Sequence, residues 1–141
     1  VEGARANCAW LSSTYHLESS NYSLYKADVA HPPITFINMV VTEPYMGPLV
    51  EGRYIPPVQK LNNIARGLDK LYRGAFKAWY QILPPGARVV ITIPRFVAHN
   101  RSIETISIDT LRSLGYNYID SVAYGKPGAV VIRNITILEK K

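Results

Sequence analysis

Apolar residues recur along this chain at two periods, one typical of helices and the other of strands. The clearest helical period follows Pro57, where apolar residues return every three or four positions over residues 58–82. The run Pro-Pro-Gly at 84–86 ends this predicted helix sharply. Shorter helices are predicted over residues 3–15 and 107–114.

Five further segments have the composition of β-strands. They cover residues 21–28, 34–41, 88–93, 116–124 and 129–138. The second is nearly all apolar or β-branched, which is typical of a strand buried on both faces, and Pro94 is expected to close the third. The glycines and proline at 125–128 predict a hairpin between the last two. Alternation of buried strands with helices therefore predicts an α/β fold with a mostly parallel sheet and a C-terminal antiparallel hairpin.

Composition indicates a folded domain with an anionic partner. The chain has 141 residues, 48% of them hydrophobic and 18% charged, which suits a single domain with one core. Its net charge of +6 favours a polyanion such as RNA or DNA. No apolar run approaches the roughly 20 residues that would span a membrane, and the first residues lack a signal-peptide pattern.

The few cysteines and histidines limit which covalent links and metal sites the chain can form. Cys8 is the single cysteine, which excludes an internal disulfide and fits a reducing cytoplasm. The histidines are too scattered in sequence to suggest a metal-binding set, so no metal is expected; they are His16, His31 and His99.

Polar and proline-rich segments follow three of the predicted strands. Asp28 ends the first strand, the segment 42–47 follows the second, and 94–96 follows the third. In parallel α/β sheets, ligands bind outside the carboxyl ends of the strands. The sequence therefore predicts a ligand site where these three segments meet.

The four residues Thr42–Glu43–Pro44–Tyr45, called here the TEPY segment, suit methylation of an amino group on a planar base. Such a nitrogen is a poor nucleophile because its lone pair is delocalised into the ring. The Glu43 carboxylate and the Pro44 carbonyl could accept its two N–H groups and aim the lone pair at a methyl carbon. The Tyr45 ring could stack on the base, a contact worth roughly 1–3 kcal/mol.

The TEPY segment resembles the Asp/Asn-Pro-Pro-Tyr/Phe motif of amino-methyltransferases with the class I Rossmann-like fold. The tRNA guanine-N2 methyltransferase group is the nearest match, with DNA amino-methylases further off. The resemblance continues in the approach to the family's fifth strand (82–90), its final hairpin (124–128) and an earlier helix (Asn7 and Trp10). The motif differs in having Glu for Asp or Asn and one proline instead of two.

This resemblance implies a Rossmann-like methyltransferase sheet, S-adenosylmethionine as cofactor, and Glu43, Pro44 and Tyr45 as the catalytic residues. It also implies that Asp28 contacts the adenine end of the cofactor and that Thr42 lies on the cofactor side. The family's glycine-rich loop and first strands have no counterpart in the 141 residues. The chain therefore resembles the carboxy-terminal part of such an enzyme, to be completed by a preceding part of the same protein or by a second copy.

Basic residues near the expected site are candidates for contacts with phosphates. Arg95, Arg101 and Lys126 lie on predicted loops there. A further basic stripe on the long helix is interpreted as a solvated face; it comprises Arg66, Lys70, Arg73 and Lys77.

With tRNA as the favoured substrate, three alternatives stay open: a DNA amino-methylase, a glutamine-amide methyltransferase acting on a protein, and a non-catalytic module that binds nucleic acid or a partner.

Overall fold

A computed structural model describes residues 2–18, 22–49 and 54–141 of the chain. Within these ranges the elements, in chain order, are α1 (Glu2–Tyr15), β1 (Met39–Thr42), α2 (Val58–Ile82), β2 (Arg88–Ala98), β3 (Arg101–Glu104), α3 (Ile108–Ser113), β4 (Tyr116–Tyr124) and β5 (Val131–Lys140). They fall into two compact units, Val1–Pro33 and Ile34–Lys141. The three predicted helices and the C-terminal hairpin are confirmed.

All five strands form one sheet in the second unit. Its order is β1-β2-β5-β4, and β3 pairs with the far end of β2. The prediction of a mostly parallel sheet is wrong in its pairing, because only the β1–β2 ladder between described strands is parallel. The cause is the hairpin: β5 returns between β2 and β4 and opposes both of them. β1, β2 and β4 nevertheless run in one direction, so their carboxyl ends share one edge of the sheet.

β2 continues through Pro94, where the sequence predicted its end. The Pro94 carbonyl accepts a hydrogen bond from the Thr105 hydroxyl, on the side of β2 away from β5. In a strand, the nitrogen and carbonyl of one residue face the same side, so the missing N–H lies on that side too. On that edge of β2, the ladder with β1 ends at Ile91 and the ladder with β3 begins at Arg95. Pro94 therefore breaks no ladder bond, and the predicted loop 94–96 is strand.

β3 was not predicted, because it depends on the unexpected length of β2. His99 and Asn100 connect the two strands, and both have positive φ, at 50° and 59°. Two such residues form the type of turn that matches the twist of antiparallel strands, and asparagine tolerates this conformation well. The His99 ring also contacts the Pro56 carbonyl at 3.2 Å, which joins this turn to the start of α2.

α2 covers one face of the sheet with the apolar stripe that its periodicity predicted. Its buried residues are Leu61, Ala65, Leu68, Tyr72, Ala75, Phe76 and Trp79. At the far end of the helix, the Tyr116 hydroxyl donates to the Phe76 carbonyl at 2.8 Å. Lys140, which pairs with Tyr116, donates to two α2-end carbonyls, those of Tyr80 and Leu83, at 2.6 Å each.

β1 is shorter and more exposed than predicted. The run 34–41 was expected to be a strand buried on both faces, but only Met39–Thr42 is strand, and Val41 is 71% exposed. Ladder registers put Val40 on the face that α2 covers and Val41 on the opposite face. Apolar composition indicates which residues prefer burial, whereas burial itself requires a covering layer. Within the second unit, the second face of β1 therefore stays open.

The first unit contains α1 and an irregular segment. The predicted strand at 21–28 is wrong for residues 22–28, which form no ladder; Asn21 lies outside the described residues. A strand requires a hydrogen-bonded neighbour, and no described segment supplies one here. Among the described helices of either unit, none is long and apolar enough to cross a membrane.

Gly115 and Gly86 offer a matched test of how the sheet packs on α2. Both have positive φ, +95° and +79°. A Cβ on Gly115 would lie 2.9 Å from Cδ2 of Tyr80, whereas a Cβ on Gly86 would meet nothing within 4 Å. Gly86→Ala should therefore lower the free energy of unfolding by about 1–2 kcal/mol through backbone strain alone. Gly115→Ala should lower it by about 1–3 kcal/mol more, since the Tyr80 ring must move. Urea denaturation measures both, and equal losses would contradict the packing described.

Candidate functional site

The TEPY segment leaves the sheet at the carboxyl end of β1 and is anchored at two points, Thr42 and Tyr45. Thr42 pairs with Ile91 in the parallel ladder. The Tyr45 carbonyl accepts a hydrogen bond of 2.9 Å from the hydroxyl of Tyr72 on α2. Gly47 follows with φ +100°, and a Cβ there would lie 3.0 Å from a methyl carbon of Ile64 on α2. Only glycine suits both the backbone conformation and the close approach.

The Tyr72 anchor is a buried, neutral donor. Its side chain is 1% exposed, and this burial raises the pKa of the Tyr72 hydroxyl above the ordinary tyrosine value. The folded-state pKa is therefore higher than that of the unfolded chain. The contribution of the neutral Tyr72 hydroxyl to stability is therefore present below about pH 10, and it is lost as the pH rises from there toward the folded-state pKa.

Glu43 and Pro44 present two oxygen acceptors on this anchored segment. One carboxylate oxygen of Glu43, Oε1, accepts from Nε of Arg133 on β5 at 3.0 Å. The other oxygen, Oε2, has no hydrogen-bond partner in the described part of the chain. The Pro44 carbonyl likewise accepts from no described residue. Tyr45 is 62% exposed, so its ring is accessible to a ligand.

A cleft of about 560 Å³ opens beside the TEPY segment. One wall is the continuation of the segment, Met46 to Leu49, and the other is the start of β5 with the residues before it, Gly128 to Val131. Arg133 lines the cleft as well, so the Glu43–Arg133 ion pair borders it. The lining is largely apolar with one strong charge, which is the usual character of a site for a flat organic ligand.

Asp28, the predicted cofactor contact, belongs to the first unit and closes a turn there. Its Oδ1 accepts from the Ala30 N–H at 2.9 Å, and its Oδ2 lies 3.6 Å from Nδ1 of His31. The Ala30 hydrogen bond is the main cause of a lowered pKa of the Asp28 carboxyl, and His31 adds to it. Most of this carboxylate is exposed, and its role toward a cofactor stays a prediction.

The three residues predicted to contact phosphates differ in their exposure and in whether a carboxylate already balances their charge. Arg101 and Lys126 are exposed, the first at the start of β3 and the second in the β4–β5 turn. Both follow the carboxyl ends of strands at the TEPY edge of the sheet. Arg95 lies inside β2 and faces Glu104 at 3.9 Å, so part of its charge is already balanced. The α2 stripe is partly paired too, because Arg73 binds Asp69 at 2.8 Å.

Arg133 and Tyr72 were missed as site residues in the sequence. Tyr72 fits the apolar stripe of α2, so nothing distinguishes its hydroxyl from those of other core tyrosines. Arg133 carries a weak signal, since it is the one charge within the apolar run 129–138 that precedes Glu139. Among the described residues, no group of three or more His, Cys, Asp or Glu side chains could hold a metal ion.

The chain shares its fold with a known methyltransferase. TrmN from Thermus thermophilus, a tRNA methyltransferase, superposes with a TM-score of 0.58 over 100% of this chain and 34% of its own, at 18% identity. The prediction of a fold shared with methyltransferases is confirmed. The α/β composition and the C-terminal hairpin are common to the prediction and the structure, whereas the mostly parallel pairing is not.

A second similar structure is a candidate DNA modification methylase, also from Thermus thermophilus, solved in complex with S-adenosyl-L-methionine. It has a TM-score of 0.49 and 22% identity, and the match covers 79% of this chain and 49% of that protein. The chain thus spans between about a third and a half of the proteins it resembles. No protein-family model and no curated protein sequence matches it.

Replacing Tyr72 by Phe tests the anchor of the TEPY segment. The variant should lose about 1 kcal/mol of unfolding free energy with the hydrogen bond to the Tyr45 carbonyl. It should also raise the backbone mobility of Tyr45 and Gly47, measured as lower NMR order parameters. Tyr116→Phe is the matched control, because it removes a buried tyrosine hydrogen bond, to Phe76, away from the segment. Lower order parameters at the segment in both variants, or in neither, would refute the anchoring role.

Proposed function

We propose that the chain is part of a cytoplasmic S-adenosylmethionine-dependent methyltransferase with a Rossmann-like domain. Its acceptor is an exocyclic amino group of a nucleic-acid base, with N2 of guanine in tRNA as the first candidate. The fold shared with a tRNA methyltransferase supports the reaction class. The TEPY segment at a strand's carboxyl end supports the choice of acceptor group.

The observation that carries this proposal is the pair of adjacent acceptors without described partners, Glu43 Oε2 and the Pro44 carbonyl. They lie on a segment that is held by the sheet on one side and by α2 on the other. The Glu43 side chain is 55% exposed, so water satisfies its second oxygen until a ligand with N–H donors replaces that water. An amino group that donates both of its hydrogens would supply the two missing donors at once.

The same arrangement would assist the chemistry. Accepting both N–H hydrogens draws the amino nitrogen toward tetrahedral geometry and frees its lone pair. The carboxylate also favours the positive charge that develops on nitrogen as it is alkylated. The exposed Tyr45 ring would stack on the base and restrict its orientation, and such positioning can lower a barrier by several kcal/mol, roughly 7–11 at best.

S-adenosylmethionine, when bound, supplies an electrophilic methyl group. The chain offers two candidates to hold it: the Asp28 carboxylate, which could accept from the adenine amino group, and the hydroxyl of Thr42. The Asp28 side chain fits this role because its turn fixes one oxygen while most of the carboxylate remains exposed. Isothermal titration of the complete gene product with the cofactor, before and after Asp28→Ala, tests the assignment.

A substrate digest separates the candidate acceptors. The complete gene product is incubated with S-adenosylmethionine tritiated on the methyl group and with unmodified tRNA transcripts, duplex DNA or cell protein in parallel. Label in N2-methylguanosine supports the first candidate. Label in DNA or glutamine amide would transfer the proposal to those acceptors. Binding of tRNA without any transfer would indicate a non-catalytic module.

Glu43→Ala tests the amine-orienting role. It should lower the turnover number by about 100-fold or more, the usual cost of removing one group that stabilises developing charge. Cofactor affinity should stay within about twofold, since this acceptor faces the substrate in the proposal. Glu139→Ala is the matched control, because Glu139 is another sheet carboxylate paired with an arginine, Arg88, at 3.3 Å. Full turnover by Glu43→Ala would exclude the role.

Salt dependence tests the basic residues. Arg101→Ala and Lys126→Ala should each weaken tRNA binding and reduce the slope of log affinity against log salt by about one. Arg95→Ala should change the slope less, because Glu104 already balances part of the charge. Binding measured by fluorescence anisotropy from 50 to 200 mM salt, roughly the range over which such contacts weaken, provides the slopes. Unchanged slopes for Arg101→Ala and Lys126→Ala would remove these residues from the interface.

A further inference from the structure

The ion pair between Glu43 and Arg133 crosses a whole strand of the sheet. Glu43 follows β1 and Arg133 lies on β5, and β2 runs between these two strands. Neighbouring strands are about 4.8 Å apart, so β1 and β5 are separated by roughly twice that distance. The 3.0 Å contact therefore requires two long side chains that meet over β2.

The other ion pairs of the described sheet are different in kind. Arg88–Glu139 and Arg95–Glu104 each join residues directly opposite one another on adjacent strands. Exposed pairs of this sort contribute little to stability. The Glu43–Arg133 pair is similarly exposed, so its contribution to stability should be equally small. Its distinctive effect is geometric, because it restrains the side chain of Glu43, a residue that lies beyond the end of β1.

The held carboxylate has one occupied and one available oxygen. Nε of Arg133 donates to Oε1, and Oε2 has no partner among the described residues. The hydrogen bond from Nε of Arg133 to Oε1 restricts the rotamers that the Glu43 side chain can adopt. Without Arg133, the Glu43 side chain would sample several rotamers, and the position of Oε2 would vary by more than an ångström.

We propose that Arg133 is the positioning residue for the amine acceptor: it draws the Glu43 carboxylate over β2, so that Oε2 is presented to the substrate amino group. This inference rests on the proposed function and explains a departure from the family motif. Glutamate is one methylene longer than the aspartate or asparagine of the motif, and this length is what reaches Arg133. An aspartate at position 43 would fall short of the guanidinium.

The test measures methyl transfer by the complete gene product to unmodified tRNA transcripts, with tritiated S-adenosylmethionine. Arg133→Met keeps the length of most of the side chain and removes its charge, and Arg88→Met is the matched control at another ion pair of the sheet, Arg88–Glu139. Arg133→Met should lower kcat by about 30-fold, since an ångström of misplacement can cost about 100-fold. KM for the cofactor and the melting temperature should match those of Arg88→Met. Arg133→Lys should recover part of kcat.

A double-variant cycle distinguishes positioning from a structural role. In a Glu43→Asp background the contact is already out of reach, so Arg133→Met should change kcat by less than about threefold. Equal losses in both backgrounds, or wild-type kcat in Arg133→Met, would overturn the positioning role while leaving the proposed function intact. Full activity in Glu43→Ala would also overturn the positioning role, because methyl transfer would then not need the Glu43 carboxylate. An inactive wild type would instead refute the proposed function and the positioning role with it.

Discussion

The architecture of the second unit depends on the pairing of β2 along both of its edges. β2 forms ladders with β1, β3 and β5, and these ladders set the relative positions of every other described strand, since β4 joins only through β5. An eleven-residue strand can accept neighbours on both sides only if its backbone groups are free in the right places. Pro94 satisfies this condition because its missing N–H faces the gap between β1 and β3.

That pairing also determines the candidate site. The TEPY segment continues from β1, and Arg133 belongs to β5, so the distance between Glu43 and Arg133 is set by the width of β2. α2 supplies the second constraint, because the Tyr72 hydroxyl holds the Tyr45 carbonyl from the opposite direction. In the proposed function, a segment held at Glu43 and at Tyr45 would need little rearrangement when charge develops at the reacting atom.

β1 has an open apolar face within the second unit. Met39 and Val41 are more than half exposed, although strands of such composition normally lie beneath a covering layer. Apolar side chains on an uncovered sheet face favour burial against further protein.

Local patterns in the sequence were sufficient for the helices, the C-terminal hairpin and the position of the TEPY segment at the end of a strand. The periodicity of apolar residues indicates which side of an element is apolar, and glycine and proline indicate where the chain turns. Both patterns are visible within a few consecutive residues. The Ser107 cap of α3, whose side chain accepts from the Thr110 amide at 3.1 Å, is predictable for the same reason.

Only the tertiary structure decided the strand pairing, the exposure of β1 and the link between Glu43 and Arg133. Those two residues are 90 positions apart in the sequence. They meet because β1 and β5 both pair with β2, one on each of its edges. Pro94 and the β2–β3 turn could not be predicted either, since a proline ends a strand or continues it according to which neighbour its nitrogen faces. Such facts depend on what lies beside a residue in space, which the periodicity of its own segment does not contain.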